Sequence, residues 1–179
     1  LWNLFVTWWV KNASFGGAAM AILVNALFMA LVFTFAYSVK KRFSEKWGWL
    51  VFIVFWISFE FIHLDWDLTW PWLTLGNVFA GTPDWIQWYE YTGVFGGSLW
   101  VLLVNVLIVQ FLFRSQTKKE YTKRAMVVIG IIVMPIIISS VVKVFADKLW
   151  KGGMSVVIVQ PNIDPYNEKF FVNYQEQLN

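Results

Sequence analysis

Of the 179 residues 59% are hydrophobic, 20% aromatic and 14% charged, against about 25% charged in an average globular chain, so this is not a water-soluble composition. Long uncharged runs separated by short charged stretches point to a polytopic membrane protein and exclude collagen, coiled coil, disorder and disulfide scaffolds. The absence of cysteine removes disulfides, thiolate metal sites and a thiol nucleophile from these residues, and the formal charge of +3 is accounted for by orientation in the membrane and not by nucleic acid.

Residues 1–10 form an aromatic run that reads as the end of a hydrophobic segment already under way, so part of a longer protein is expected. A membrane helix needs about 20 apolar residues. Four runs qualify as spans: 16–39, 47–64 with only Glu60 and His63 as polar titratable groups, 93–113, and 125–142 with Pro135 inside it. The predicted fold class is an α-helical polytopic membrane bundle over residues 1–150, holding four full spans, the end of an earlier one and an interfacial or re-entrant segment at 65–92.

Lys40, Lys41, Arg42 and Lys46 fall in one short loop, and Arg114, Lys118, Lys119, Lys123 and Arg124 in another. The positive-inside rule puts both loops in the cytoplasm. Segment 64–92 and everything after Lys143 are then extracytoplasmic, in keeping with the acids Glu60, Asp65, Asp67, Asp84 and Glu90 and the lack of Lys or Arg between Trp47 and Phe113. The basic loops read as topology signals ahead of headgroup binding sites. Lys143 reads as a side chain that snorkels to the interface.

Segment 65–88 is too polar to span and too aromatic for a plain loop, with Trp66, Trp70, Trp72, Trp85 and Trp88 around Pro71 and Pro83. It fits an aromatic belt at headgroup level, or a re-entrant wall guiding an acyl chain, which requires its backbone to be buried in protein. Glu60 is the one acid inside a span, and His63 stands at i+3 on the same helix face. Their readings are a structural pair holding the following loop, or a role in positioning lipid or substrate. Two ligands do not make a metal site, and no metal or cofactor is expected. Asp65 and Asp67 are solvated boundary acids, and Gly93, Gly96 and Gly97 are close-packing positions for helices in lipid.

Beyond the last span, Lys148, Lys151, Gly152 and Gly153 form a hinge, 154–159 is a β-branched run that reads as a buried strand, and Gln160-Pro161-Asn162 stops it. Tyr166, Phe170, Tyr174 and Leu178 then recur every four residues, as on one face of a helix. Residues 151–179 thus read as the opening of an α/β domain.

Trp56, Glu60 and His63, with ten residues between Glu60 and the run Pro71-Trp72-Leu73-Thr74-Leu75-Gly76, resemble the membrane region of apolipoprotein N-acyltransferases. Thr92, Gly93, Gly96 and Ser98, followed by Asn105, are similar to that family's entry into its next helix. Phe15-Gly16-Gly17 after Trp8-Trp9 resembles an earlier loop, and Val157 to Ile163 with Lys169 and Phe170 the start of its nitrilase-like domain. His63 departs from the pattern, standing where the family often has Arg. The resemblance implies transfer of an acyl chain from a phospholipid donor to the N-terminal cysteine amine of a lipoprotein acceptor in the bacterial inner membrane, with a periplasmic αββα sandwich carrying a Glu-Lys-Cys triad. None of that triad is expected in this chain, and Glu168 and Glu176 read as the wet face of the terminal helix. Glu60, His63, Pro71, Trp72 and Gly76 are the residues expected to position substrate or lipid. A proton-coupled transporter and a membrane-anchored nitrilase-like amidohydrolase are the competing readings.

Overall fold

The computed structural model describes residues 1–112, 117–149, 155–158, 160 and 173. Helix α1 (Trp2–Val6) and a 3-10 turn (Trp8–Asn12) precede α2 (Phe15–Arg42), α3 (Glu45–Ile62), α4 (Tyr89–Leu107) with a π-turn at Ile108–Leu112, and α5 (Lys118–Leu149). Between α3 and α4 lie three short 3-10 turns, Pro71–Leu73, Leu75–Phe79 and Pro83–Trp85.

Ser14 starts α2, its hydroxyl accepting from the Gly17 N–H at 3.2 Å, and Lys40, Lys41 and Arg42 close it where the helix dipole favours cations. At 1.5 Å per residue α2 is about 42 Å long. It buries Asn25, Met29, Val32 and Ala36, a stripe spaced four, three and four residues. Against that stripe α3 sets Gly48, Phe52, Trp56 and Glu60, one residue per turn. Gly48 lets the two backbones meet: a Cβ there would stand 2.4 Å from Cβ of Lys40. Met29, Val32, Ala36, Phe52 and Trp56 join Leu73, Leu102 and Val106 in one apolar core. The N-terminus docks on the same bundle, the Asn3 amide donating to the Met29 sulfur at 3.6 Å.

Among the described residues three helices are long and apolar enough to cross a membrane: Phe15–Arg42, Tyr89–Phe111 and Lys118–Ala146. Four spans were expected. The difference is α3, whose 18 residues include Glu45, Lys46 and Glu60 and are about 27 Å long, so that it pairs with only part of α2. Both basic turns lie at one end of the bundle, where Ser44 and Lys46 share a pocket with Arg124.

Residues 155–158 form no strand, and Val156, Val157 and Ile158 are 66 to 87% exposed. The expected strand at 154–159 is thus not shown among the described residues, which leave out 154 and 159. A strand exists through backbone pairing, and none of the described residues offers this run a partner. Of the expected hinge, Lys148 lies inside α5 instead, because the helix runs on to Leu149; Lys151, Gly152 and Gly153 and the helix carrying Tyr166, Phe170, Tyr174 and Leu178 lie outside the described residues.

Candidate functional site: an anchored segment between two helix pairs

The segment between α3 and α4 is threaded against side chains on both sides. Its anchor is Glu60, 3% exposed on the last turn of α3. Oε1 of Glu60 accepts the Trp56 indole N–H at 3.0 Å and the Leu75 backbone N–H at 2.8 Å. The first bond, between positions i and i+4 of one helix, holds the carboxylate in place; the second reaches 15 residues ahead and fixes the 3-10 turn Leu75–Phe79. Oε2 is buried and finds no hydrogen-bond partner among the described residues.

Gly76 is held from the other side by α4. Its N–H donates to the fully buried Ser98 hydroxyl at 3.0 Å, and its carbonyl accepts from the Tyr89 hydroxyl at 3.0 Å. A Cβ on Gly76 would stand 2.0 Å from the Val94 carbonyl oxygen, and one on Gly97 would stand 1.6 Å from the Tyr89 hydroxyl and 3.0 Å from Cα of Gly76. The close-packing expectation thus holds at Gly97, but its partner is the 3-10 turn and not another spanning helix. Gly93 differs again. With φ +63° it kinks the start of α4, a conformation in which a side chain would be strained, and no atom lies within 4 Å of its would-be Cβ.

His63 is 5% exposed, but its partner is not Glu60. Nε2 donates to Asn25 Oδ1 on α2 at 2.8 Å, and the ring packs on Phe59 with centroids 4.7 Å apart. The i+3 spacing put Glu60 and His63 within reach of each other, but each bonds elsewhere: Glu60 to Trp56 and Leu75, His63 to Asn25. Asp65 and Asp67 are exposed, as expected of solvated acids. No group of three metal-binding side chains occurs among the described residues.

Pro71 opens its 3-10 turn at a position needing no N–H, and its carbonyl accepts from the Asn77 side-chain amide at 3.2 Å. Trp72 is 53% exposed and packs edge-on against Trp9 at 5.7 Å and Trp70 at 4.9 Å. On its flank is an apolar hollow of about 320 Å³ between Trp2, Val6, Leu75, Val78 and Val101.

The far end of the segment is pinned by α5. The buried Ser139 hydroxyl accepts the Gln87 N–H, and Lys143 pairs with Asp84 at 2.6 Å, one helical turn further along. Lys143 therefore lies inside α5 and not just beyond it, with its exposed ammonium paired to Asp84. Phe79 stacks on Trp100 at 4.7 Å, and the Trp100 indole donates to the Ile131 carbonyl at 2.9 Å. Asn25, Tyr89, Trp100 and Ser139 were not singled out from the sequence. For Asn25 and Ser139 a signal existed, since a polar side chain inside an apolar run turns toward protein; for Tyr89 and Trp100 no local pattern marks the partner.

Residues 1–107 match the family described as apolipoprotein N-acyltransferase N-terminal domain. The chain is 29% identical over 171 residues to the apolipoprotein N-acyltransferase of Chlorobaculum tepidum, covering 94% of this chain and 32% of that protein. It is 26% identical over 169 residues to that of Geobacter metallireducens, covering 92% of this chain and 31% of the relative. The chain spans about a third of the length of these curated relatives. No solved structure matches it significantly.

Proposed function

Because the chain belongs to the apolipoprotein N-acyltransferase N-terminal domain family, we propose that this multi-pass membrane protein is the lipid-facing part of an enzyme that moves an acyl chain from a phospholipid to the N-terminal cysteine amine of a diacylglyceryl lipoprotein. The observation that carries this reading is the extent of the family match: residues 1–107 include the anchor Glu60 and the Pro71–Phe79 stretch that it and Ser98 hold.

The chain contains no cysteine, so a thiol mechanism draws its Cys from residues other than these, and the Glu and Lys of the triad are read as lying with it. In that chemistry a carboxylate takes the thiol proton, the thiolate displaces lysophospholipid from the ester, and the lipoprotein amine attacks the thioester and regenerates the thiol. The part played here is placement. Both substrates hold acyl chains in the bilayer, and extracting a chain costs about 0.8 kcal/mol per methylene. A catalytic domain carried down to the lipid avoids that cost.

The anchored segment supplies the lipid-facing surface in this reading. Its backbone N–H and C=O groups find partners on Glu60, Ser98, Tyr89 and Ser139, which meets the condition for irregular backbone at membrane depth. Trp72 and the apolar hollow beside it then line the acyl-chain path, with His63, Pro71 and Gly76 setting its position. With both basic turns in the cytoplasm, the segment faces the periplasm and the protein sits in the bacterial inner membrane. Glu60 commits an oxygen to two fixed donors, which favours an anchor over the proton-carrying site of a transporter.

The test uses the full-length protein in nanodiscs, with phospholipid and a diacylglyceryl peptide. Trp72→Ala should lower kcat/KM for phospholipid about tenfold, the equivalent of about 1.4 kcal/mol, with Tm within a degree or two of wild type. Unchanged kinetics would remove Trp72 from the lipid path. No acyl transfer by the wild-type protein would overturn the reading itself.

A further inference from the structure

The end of the bundle away from the anchored segment carries a feature that topology alone does not require. A pocket of about 500 Å³ is lined by Ser44, Glu45 and Lys46 from the α2–α3 turn, Gln110 and Phe111 from the end of α4, and Arg124 from the start of α5. Orientation by the positive-inside rule needs only that basic residues lie somewhere in the two loops. Here the fold brings one cation from each loop to the same concavity.

The groups in it are arranged for an anion. Lys46 is exposed and has no carboxylate partner among the described residues. Arg124 is half-buried, its guanidinium carbon 5.8 Å from the Phe111 ring centroid. The one acid among the described lining residues, Glu45, is turned to other work: its carboxylate pairs with Lys40 at 3.4 Å and accepts the Trp49 indole N–H at 3.2 Å. Ser44 occupies the N-cap position of the 18-residue α3 but its hydroxyl makes no capping bond, leaving that hydroxyl and the Lys46 and Trp47 N–H groups of the first turn beside the two cations.

We propose that this pocket binds the phosphate-bearing headgroup of an anionic membrane lipid. Charge complementarity selects the ligand class: two unneutralised cations and a helix N-terminus against one acid already paired. Position selects lipid over a soluble anion, because the pocket lies where α2, α4 and α5 begin or end and hence at headgroup level when these helices cross a bilayer. The inference is independent of the acyl-transfer reading and places a lipid at the opposite end of the molecule from Trp72.

The experiment is native mass spectrometry of the full-length protein released from nanodiscs of equimolar phosphatidylglycerol and phosphatidylcholine. Wild type should retain phosphatidylglycerol preferentially. Lys46→Gln with Arg124→Gln should reduce that enrichment by about fivefold for each charge removed, while the charge-preserving pair Lys46→Arg with Arg124→Lys keeps most of it. Lys118→Gln with Lys119→Gln, an equal loss of charge from residues that do not line the pocket, should leave enrichment near wild type. An equal fall in that control would show attraction to the leaflet as a whole and overturn the site. Unchanged enrichment in the Lys46 and Arg124 glutamine variant would do the same, and displacement of the lipid by excess inorganic phosphate would assign the pocket to a soluble anion.

Discussion

The indole N–H of Trp100 on α4 donates to the carbonyl of Ile131 on α5 at 2.9 Å. Ile131 stands four residues before Pro135, and proline has no N–H to give the carbonyl of residue i−4. In water such an orphan carbonyl is solvated; in lipid it needs a protein donor. Trp100 supplies one and at the same time stacks on Phe79 of the anchored segment, joining α5 to that segment through a single side chain.

Trp100→Phe keeps the ring stack and removes the donor, and should destabilise the protein by about 1 kcal/mol. The same substitution in a Pro135→Ala background should cost clearly less, because alanine restores the helical partner of Ile131. Unfolding of the four variants in mixed detergent micelles measures the coupling. Equal costs in both backgrounds would show that the indole bond does not compensate for the proline.

Glu60→Ala orphans the Trp56 and Leu75 N–H groups in a buried site, at about 1–3 kcal/mol each. Glu60→Gln keeps an acceptor oxygen and should stay within about 1 kcal/mol of wild type. Tm in detergent separates the two, and limited proteolysis should show new cleavage between residues 63 and 88 in the alanine variant alone. Equal loss in both variants would mean that the negative charge, and not the acceptor, does the anchoring.

Gly76→Ala places a methyl 2.0 Å from a backbone oxygen that cannot move aside, and should cost about 1–3 kcal/mol or displace the segment. Gly81→Ala is the matched control: nothing lies within 4 Å of its new Cβ, so stability should change by less than about 0.5 kcal/mol. A neutral Gly76→Ala would mean that α4 and the segment separate readily.

Much of the bundle is legible in the sequence because a membrane span is a matter of local composition. Uncharged runs placed α2, α4 and α5, and clustered Lys and Arg placed the turns at one end. Helix α3 is the marginal case: its apolar run is real, but the charges at its start and at Glu60 shorten what lipid accepts. Glu60 was legible as a residue needing an explanation, since a buried acid is costly, and Gly76 through the motif that contains it. Their partners were not. The i+3 spacing suggested His63 for Glu60, yet the carboxylate bonds a backbone N–H 15 residues ahead, and His63 finds Asn25, 38 residues behind it.

Sequence alone therefore determined which stretches can lie in lipid and which end of the bundle is basic, because hydropathy and charge act residue by residue and need no neighbour. Only the tertiary structure decided that Leu75 bonds Glu60, that Ser98 and Tyr89 hold the two sides of Gly76, and that Trp100 satisfies the carbonyl left by Pro135. A buried polar atom away from water takes whichever complementary group the packed helices bring within about 3 Å, and that proximity is set by the crossing of helices distant in the chain, which no local pattern encodes.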